Sequence, residues 1–171
     1  MMLRMKRIKN CKAMIKILFV CTGNICRSSS AEAISRKIAV DKSLHEQIQF
    51  SSAGTSGYHQ GEESDIRAIE VARKNGVSFD GIFAKKMENS HADESDLILC
   101  MDRSHLEKVK RFVAPKNLHK VHLFLEYAAL TDSYEDEVGD PYYQGDKAFE
   151  DVFNIIYKAS QSVIQRVIFE N

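Results

Sequence analysis

A cysteine and an arginine six positions apart, Cys21 and Arg27, flank a short segment with the residue types needed to bind and attack a phosphate. The segment, VCTGNICRSSS over residues 20–30, follows an apolar run and precedes a helical pattern. Backbone N–H groups converge in such a turn, and the helix N-terminus adds roughly half a positive charge. Together with the Arg27 guanidinium, this field should keep Cys21 as a thiolate, which is the nucleophilic form of cysteine. The spacing predicts a phosphate-binding loop with Cys21 as its nucleophile.

The other residues of this loop have properties that suit an anion site. Arg27 presents a planar fork that can bind two phosphate oxygens and tighten as charge shifts in the transition state. Ser28 can donate a hydrogen bond to the sulfur, and Gly23 lets the backbone fold inward. Asn24 tolerates the left-handed conformation that such a turn often needs. We expect the loop residues that surround the substrate to be Thr22, Gly23, Asn24, Ile25, Cys26 and Ser28.

Two other interpretations of the loop are weaker. A nucleotide-binding phosphate loop needs Gly-Lys-Ser/Thr, and GNICRS at residues 23–28 has no lysine. Cys21 could be a small buried residue at a strand end, with Arg27 on a helix surface. That interpretation leaves the glycine, asparagine and serine around them without a purpose, so a catalytic loop explains the segment better.

Phosphoryl transfer also needs an acid, because the departing oxygen must receive a proton. The sequence GDPYY at residues 139–143 places Asp140 before a conformationally restricting proline. Two aromatic rings, Tyr142 and Tyr143, follow and could form the wall of an aromatic substrate site. Alone, this segment is typical of a surface turn; combined with the cysteine loop, it predicts Asp140 as the general acid.

Short apolar runs alternate with helical patterns along the chain, and these elements must position the loop and the acid. Runs rich in β-branched or aromatic residues predict strands at residues 15–20, 47–53, 96–101 and 120–127. Helical periodicity predicts helices at residues 30–42, 63–75 and 103–112, the third of them capped by Asp102, and a long last helix after Asp146. The alternation predicts an α/β fold, an open four-stranded parallel sheet with helices on both faces in a flavodoxin-like three-layer α/β/α arrangement. Ligands of such sheets bind beyond the carboxyl ends of the strands, where the cysteine loop falls.

Composition limits the classes of partner and compartment. The chain has 171 residues, 44% hydrophobic, with 24 basic and 24 acidic side chains, so no global charge favours nucleic acid. Four cysteines without a CxxC pair predict reduced thiols in the cytoplasm and no metal site. No stretch approaches the ~20 apolar residues of a membrane span. We expect a single domain over residues 15–171, preceded by a disordered basic lead at residues 1–14, with a start at Met14 as the alternative.

The sequence resembles the low-molecular-weight protein tyrosine phosphatases over residues 15–169. VCTGNICRS matches the family's loop of cysteine, five residues, arginine and serine, and GDPYY matches its acid loop. SSAGTSGY and LILCMD extend the match. The resemblance implies the fold predicted above and a two-step hydrolysis of phosphotyrosine in a protein substrate, without metal or another cofactor.

The resemblance also implies a role for each site residue. Cys21 would attack the phosphate, Arg27 and the loop amides would hold it, and Asp140 would protonate the leaving phenol. Asp140 would then activate water to release inorganic phosphate. The loop would also bind inorganic phosphate or a similar oxyanion. Asn24 and Ser52 would keep the loop in shape, and the entrance would be lined by Tyr58, Tyr142 and Tyr143. The segment at residues 80–86 lacks a histidine that some members use to support the loop, which leaves the network around Ser52 less defined.

Three alternative functions share parts of this pattern. A related protein arginine phosphatase has threonine in place of Ile25, and the apolar Ile25 with paired tyrosines favours a phenol over a guanidinium. Arsenate reductases of the same fold need further cysteines in a relay, whereas Cys100 lies in an apolar strand. A non-catalytic phosphate-binding module would not need both a nucleophile, Cys21, and an acid, Asp140.

Cys26 suggests a further hypothesis for the loop. It lies close enough to Cys21 that oxidation could join the two sulfurs and protect the nucleophile from irreversible oxidation. A packed loop thiol without a redox role is the alternative.

Overall fold

Four parallel strands form the central sheet of the computed structural model, which describes residues 13–170. The sheet order is β2-β1-β3-β4. The strands are β1 (Ile15–Cys21), β2 (Ile48–Gly54), β3 (Leu97–Cys100) and β4 (Val121–Leu123). The predicted four-stranded parallel sheet is confirmed. Most of the predicted lead, residues 1–14, lies outside the described residues.

Helices connect the strands and cover both faces of the sheet. They are α1 (Arg27–Asp41), α2 (Ile66–Lys74), α3 (Asn89–Glu94), α4 (Arg103–Phe112), α5 (Phe124–Tyr127) and α6 (Asp146–Phe169), with a 3₁₀ helix at Pro115–Lys120. No helix within residues 13–170 has the length and apolar character needed to cross a membrane.

The two faces of β1 bury alternate side chains in two separate cores. Ile17 and Phe19 join one core with residues of α1, α2 and α6. Leu18 and Val20 join the other, together with residues of α3 and α4. This period of two is what a central strand covered on both faces requires. The predicted three-layer arrangement is confirmed.

The fourth strand was predicted too long. β4 ends at Leu123, and residues 124–127 form the short helix α5. Phe124 and Leu125 are consecutive, and both are buried in the same core. In a strand, consecutive side chains would point to opposite faces of the sheet. The Phe124 ring packs edge-on against Phe19, with ring centroids 5.3 Å apart. A short apolar run does not distinguish strand from buried helix, so the sequence pattern missed this turn.

Helix α1 begins at Arg27, three residues before the periodic run at residues 30–42. Serine usually favours turns and caps over helix interiors, so periodicity alone does not show where such a helix begins. Here the hydroxyls of Ser29 and Ser30 both donate to one acceptor at the start of the helix, the carbonyl oxygen of Cys26. The helix therefore starts directly at the end of the cysteine loop.

The sheet order creates a crevice at the carboxyl ends of β1 and β3. The chain runs from β1 to β2 on one side and later to β3 on the other, so connections leave these neighbouring strands in opposite directions. Cys21 is the last residue of β1, and Asp102 follows β3 directly before α4. The fold thus places the cysteine loop at the position where open α/β sheets bind ligands.

Candidate active site

The cysteine loop turns sharply between β1 and α1. Cys21 is buried, and its Sγ lies 2.9 Å from the hydroxyl oxygen of Ser28. The side-chain amide of Asn24 donates to the same hydroxyl oxygen at 2.8 Å, which leaves the Ser28 proton for the sulfur or for the carbonyl oxygen of Ala53 at 3.5 Å. Asn24 has φ of 59°, which confirms the predicted left-handed conformation. The geometry therefore supplies a donor for a thiolate, as expected of Ser28.

A buried hydrogen-bond network holds Asn24 from behind the loop. Its Nδ2 also donates to Ser52 Oγ at 2.9 Å, and its Oδ1 accepts the backbone N–H of Lys85 at 3.0 Å. Ser52 in turn donates to the carboxylate of Glu32, which Arg36 contacts from the solvent side. The network is complete without the absent histidine, because the backbone of the 80–86 segment makes the contact to Asn24.

Glu32 is a component of this network that the sequence reasoning did not identify. It lies on α1 and is almost fully buried. Burial raises the pKa of Glu32, and the hydrogen bond from Ser52 and the charge of Arg36 oppose that rise.

The neighbouring backbone leaves no room for a side chain at Gly54, the last residue of β2. A Cβ added there would lie 2.5 Å from the carbonyl oxygen of Thr22 and 2.9 Å from that of Ser56. Those contacts are shorter than real Cβ atoms make, so any side chain at this position would displace the cysteine loop. Gly54 belongs to the SSAGTSGY segment that follows the buried Ser52.

Arg27 is fixed by contacts on two sides of its guanidinium. Nη1 donates to Asp102 Oδ2 at 2.9 Å and to the carbonyl oxygen of Val138 at 3.0 Å. Nη2 lies 3.4 Å from Asp140 Oδ2. The arginine side chain is only 5% exposed, so these contacts are little screened by water. Arg27 is thus held in place at the pocket, with Asp140 beside it.

Asp102 begins α4 and forms a capping box with His105. The Asp102 carboxylate accepts the backbone N–H of His105 at 3.0 Å, and His105 Nδ1 accepts the backbone N–H of Asp102 at 3.2 Å. Burial acts to raise the pKa of Asp102, but the hydrogen bond from the His105 backbone and the hydrogen bond and charge of Arg27 oppose that rise, and the pKa lies below its ordinary value. Asp102 is therefore an ionised partner for Arg27. Its capping role was predicted; its contact with Arg27 was not.

His105 also contacts the cysteine loop. Its Nε2 lies 2.8 Å from the hydroxyl oxygen of Thr22, the residue after the nucleophile. Burial, followed by the charge of Arg27, lowers the pKa of His105 to about 4. The ring is therefore neutral near pH 7. No sequence motif pointed to this contact.

The acid loop is anchored to the rest of the site at both ends. Val138 donates its backbone N–H to the carbonyl oxygen of Met101 at 2.8 Å. Beyond the acid, Arg67 of α2 donates to the carbonyl oxygen of Tyr142 at 3.1 Å and stacks over Phe149 at 4.3 Å. Between these anchors, Asp140 is 53% exposed at the mouth of the pocket. A substrate entering the pocket would meet this carboxyl group.

These elements enclose an open cavity of about 570 Å³. Its lining contains most of the predicted site residues and two that were not predicted, Ser56 and His59. The predicted residues in the lining are Cys21, Thr22, Gly23, Ile25, Cys26, Arg27, Tyr58, Asp140, Tyr142 and Tyr143.

The remaining predicted residues, Asn24, Ser28 and Ser52, lie behind the loop and outside this lining. They are buried, and their contacts support the loop. The structure therefore separates them from the surface that a substrate would touch, although Ser28 still reaches the sulfur of Cys21.

Aromatic rings form the rim of the cavity. Tyr58 is 84% exposed and Tyr143 is 91% exposed. Tyr142 packs edge-to-face against Tyr143, with ring centroids 4.8 Å apart. The rim offers flat apolar surfaces to an aromatic group bound above the sulfur.

The cysteines within residues 13–170 are all free thiols. Burial raises the pKa of Cys26, and the negative charge of Asp65 adds to that effect. Burial likewise raises the pKa of Cys100, which lies inside β3. Cys26 and Cys100 are therefore protonated, and Cys100 is not placed in the cavity lining.

Comparison with known proteins identifies relatives over nearly the whole chain. Residues 16–170 match the family model described as low molecular weight phosphotyrosine protein phosphatase. The low molecular weight protein-tyrosine-phosphatase YfkJ of Bacillus subtilis is 36% identical over 154 residues, 90% of this chain and 96% of that protein.

Solved structures agree with this similarity. The crystal structure of YfkJ has a TM-score of 0.87 and covers 94% of this chain and 98% of its own. A protein tyrosine phosphatase from Entamoeba histolytica with Hepes in the active site is 32% identical, with a TM-score of 0.84 over 90% of this chain and 97% of its own. Wzb of Vibrio vulnificus in complex with benzylphosphonate is 29% identical, with a TM-score of 0.77 over 90% of this chain and 99% of its own.

Proposed function

Because this chain belongs to the low molecular weight phosphotyrosine protein phosphatase family, we propose that it hydrolyses phosphotyrosine in proteins through a cysteinyl-phosphate intermediate on Cys21. The observation that supports this most strongly is the convergence of three groups on one cavity. The sulfur of Cys21, the guanidinium of Arg27 and the carboxyl group of Asp140 all line it. These groups can supply the nucleophile, the phosphate clamp and the acid of a phosphatase.

In the first step, the phosphate of the substrate binds to the loop amides and the Arg27 guanidinium. The Cys21 thiolate attacks phosphorus, so that the S–P bond forms as the bond to the tyrosine oxygen breaks. The departing oxygen takes the proton of Asp140 and leaves as a neutral phenol. Asp102 and the Val138 carbonyl hold Arg27 in the orientation that this transfer needs.

In the second step, Asp140 is ionised and acts as a base. It accepts a proton from a water molecule as the water oxygen attacks phosphorus, and the S–P bond breaks. Inorganic phosphate leaves, and the Cys21 thiolate and the protonated Asp140 are restored. The hydrogen bond from Ser28 stabilises the sulfur as it becomes the leaving group. Cys21 must stay reduced for this cycle, which suits the cytoplasmic compartment expected from the sequence.

The rim of the cavity supports an aryl phosphate over a phosphoguanidinium group. Ile25, Tyr58 and Tyr142 present apolar and aromatic surface at the entrance. A guanidinium leaving group would instead favour polar partners around it. We expect phosphotyrosine peptides to be hydrolysed much faster than phosphoarginine, which separates this function from the arginine phosphatase alternative.

The test is hydrolysis of p-nitrophenyl phosphate and of a phosphotyrosine peptide by variants of the full chain. Cys21→Ser should abolish turnover, because a serine hydroxyl is not ionised at neutral pH. Cys100→Ala removes a thiol outside the cavity and serves as the matched control, with turnover close to wild type. Full activity of Cys21→Ser would refute the proposed mechanism.

The role of Asp140 requires a separate comparison of leaving groups. Asp140→Asn should slow hydrolysis of phosphotyrosine more than that of p-nitrophenyl phosphate, since p-nitrophenol leaves readily without a proton. Equal losses for both substrates would contradict a general-acid role. Asp140→Ala can also trap bound substrates, and recovery of tyrosine-phosphorylated proteins from a lysate would identify the physiological partner.

A further inference from the structure

The N-terminal turn of α4 contacts the cysteine loop at both of its ends. Asp102 binds Arg27, the last residue of the loop sequence. His105, three positions later on the same turn, binds the hydroxyl group of Thr22, the first residue after the nucleophile. One capping box therefore connects the two ends of the phosphate site.

The hydrogen bonds of His105 determine where its ring proton resides. Nδ1 accepts the backbone N–H of Asp102, so Nδ1 must carry a lone pair. The Asp102 Oδ1 atom, 3.1 Å from Nδ1, already accepts the backbone N–H of His105. Because the lowered pKa keeps the ring neutral, its single proton resides on Nε2 and is donated to Thr22 Oγ1. The Thr22 hydroxyl proton is then free.

Thr22 is well placed to use that free proton. It is exposed and lines the cavity beside Cys21. Its backbone is fixed as well, because its carbonyl oxygen accepts the N–H of Ser56 at 3.0 Å. With the main chain and Oγ1 both held, the remaining freedom of the hydroxyl group is the direction of its proton.

We propose that His105 is a positioning residue that orients the Thr22 hydroxyl group as an additional hydrogen-bond donor to the substrate's phosphoryl group. The inference rests on the proposed role of the Cys21 loop as the phosphate site. A hydrogen bond from this hydroxyl group strengthens as negative charge develops on the phosphoryl oxygens in the transition state. The pair should therefore affect kcat more than KM.

A second helix in this chain provides a matched control for helix capping. At the start of α3, His91 forms the same capping box with Glu88, and its Nδ1 accepts the Glu88 backbone N–H at 2.9 Å. His91 does not line the cavity. Capping a helix with histidine thus requires Nδ1 alone, and the contact of His105 Nε2 with Thr22 is separate from it.

The experiment combines single and double variants. Thr22→Val removes the hydroxyl group at similar size. His105→Asn can retain the bond to the Asp102 N–H but is too short to reach Thr22. Each change should lower kcat about fivefold, the size of one net hydrogen bond, with KM within about twofold of wild type. His91→Asn should leave kcat within about twofold of wild type.

The double variant decides whether the two residues act together. If His105 acts through the Thr22 hydroxyl group, Thr22→Val combined with His105→Asn should be no slower than the slower single variant. Losses that multiply would overturn the proposal, as would a kcat for His105→Asn equal to that of His91→Asn. Loss of all turnover in Cys21→Ser, measured alongside, separates failure of this proposal from failure of the proposed function.

A measurement on the unmodified protein covers the case in which His105→Asn does not fold. The ring nitrogens of His105 can be observed by ¹⁵N NMR at neutral pH. The proposal requires the proton on Nε2. A proton on Nδ1 would mean that Thr22 donates to the ring, which would leave no hydroxyl proton for the substrate and would overturn the proposal.

Discussion

The buried ring of His105 should make the stability of this protein depend on pH in a way that one substitution removes. The pKa of His105 is lowered from 6.5 to about 4, first by burial and then by the charge of Arg27. The unfolded chain binds a proton at this residue below pH 6.5, whereas the folded chain does not until about pH 4. The contribution of His105 to the free energy of unfolding is therefore fully present above pH 6.5 and is lost as the pH falls toward 4.

The size of this effect follows from the shift and from the burial of the ring. Each pKa unit corresponds to about 1.4 kcal/mol, and His105 is 1% exposed, so solvent screening is small. Between pH 7.5 and pH 4.5 the single histidine should lower the free energy of unfolding by about 2 to 3 kcal/mol. This is a large part of the stability of a domain of this size.

Urea unfolding followed by far-ultraviolet circular dichroism measures this free energy at each pH. The loss between pH 7.5 and pH 4.5 should be smaller in His105→Asn than in wild type by the amount given above. His91→Asn controls for removal of a capping histidine and should show the wild-type loss. If His105→Asn and wild type lose the same free energy of unfolding over this range, the ring is not held neutral and the reasoning is refuted.

Three further outcomes are expected from the site geometry. Gly54→Ala should lower kcat at least about tenfold with the fold retained in circular dichroism, because its Cβ would meet the Thr22 carbonyl oxygen at 2.5 Å; unchanged kcat would show that the loop yields. Arg27→Lys keeps the charge but loses the fork that binds Asp102 and the phosphate, so kcat should fall about a hundredfold or more, and a loss under threefold would contradict the clamp. Cys26→Ala should recover less activity with dithiothreitol after peroxide treatment than wild type does, since no neighbouring thiol could trap oxidised Cys21; equal recovery would reject the protective disulfide.

Local patterns in the sequence were sufficient for the elements that position the site. Three of the four predicted strands, the long last helix and the Asp102 cap were confirmed, because short apolar runs, helical periodicity and capping are each encoded within a few residues. The turn at Phe124 was missed because an apolar run of that length fits a strand and a buried helix equally well.

The contacts that complete the site could not be inferred in the same way. His105 reaches Thr22 across 83 positions of sequence, and Arg27 reaches the Val138 carbonyl across 111. Such pairs depend on which ends of strands the sheet order brings together, and no local pattern encodes that order. Glu32 was missed for a related reason, since a charged residue on a helix is usually solvated and its burial depends on the packing of α1 against β2.

The central claim of this account is that Cys21 is the reactive nucleophile of the site, where the α1 N-terminus, Arg27 and the Ser28 hydroxyl group surround the sulfur. The most direct test is the rate at which iodoacetate alkylates Cys21 at pH 5.5, with the modified residue identified by mass spectrometry. The account predicts alkylation at least about tenfold faster than that of free cysteine, and protection by added inorganic phosphate. Alkylation of Cys21 no faster than that of free cysteine would contradict it.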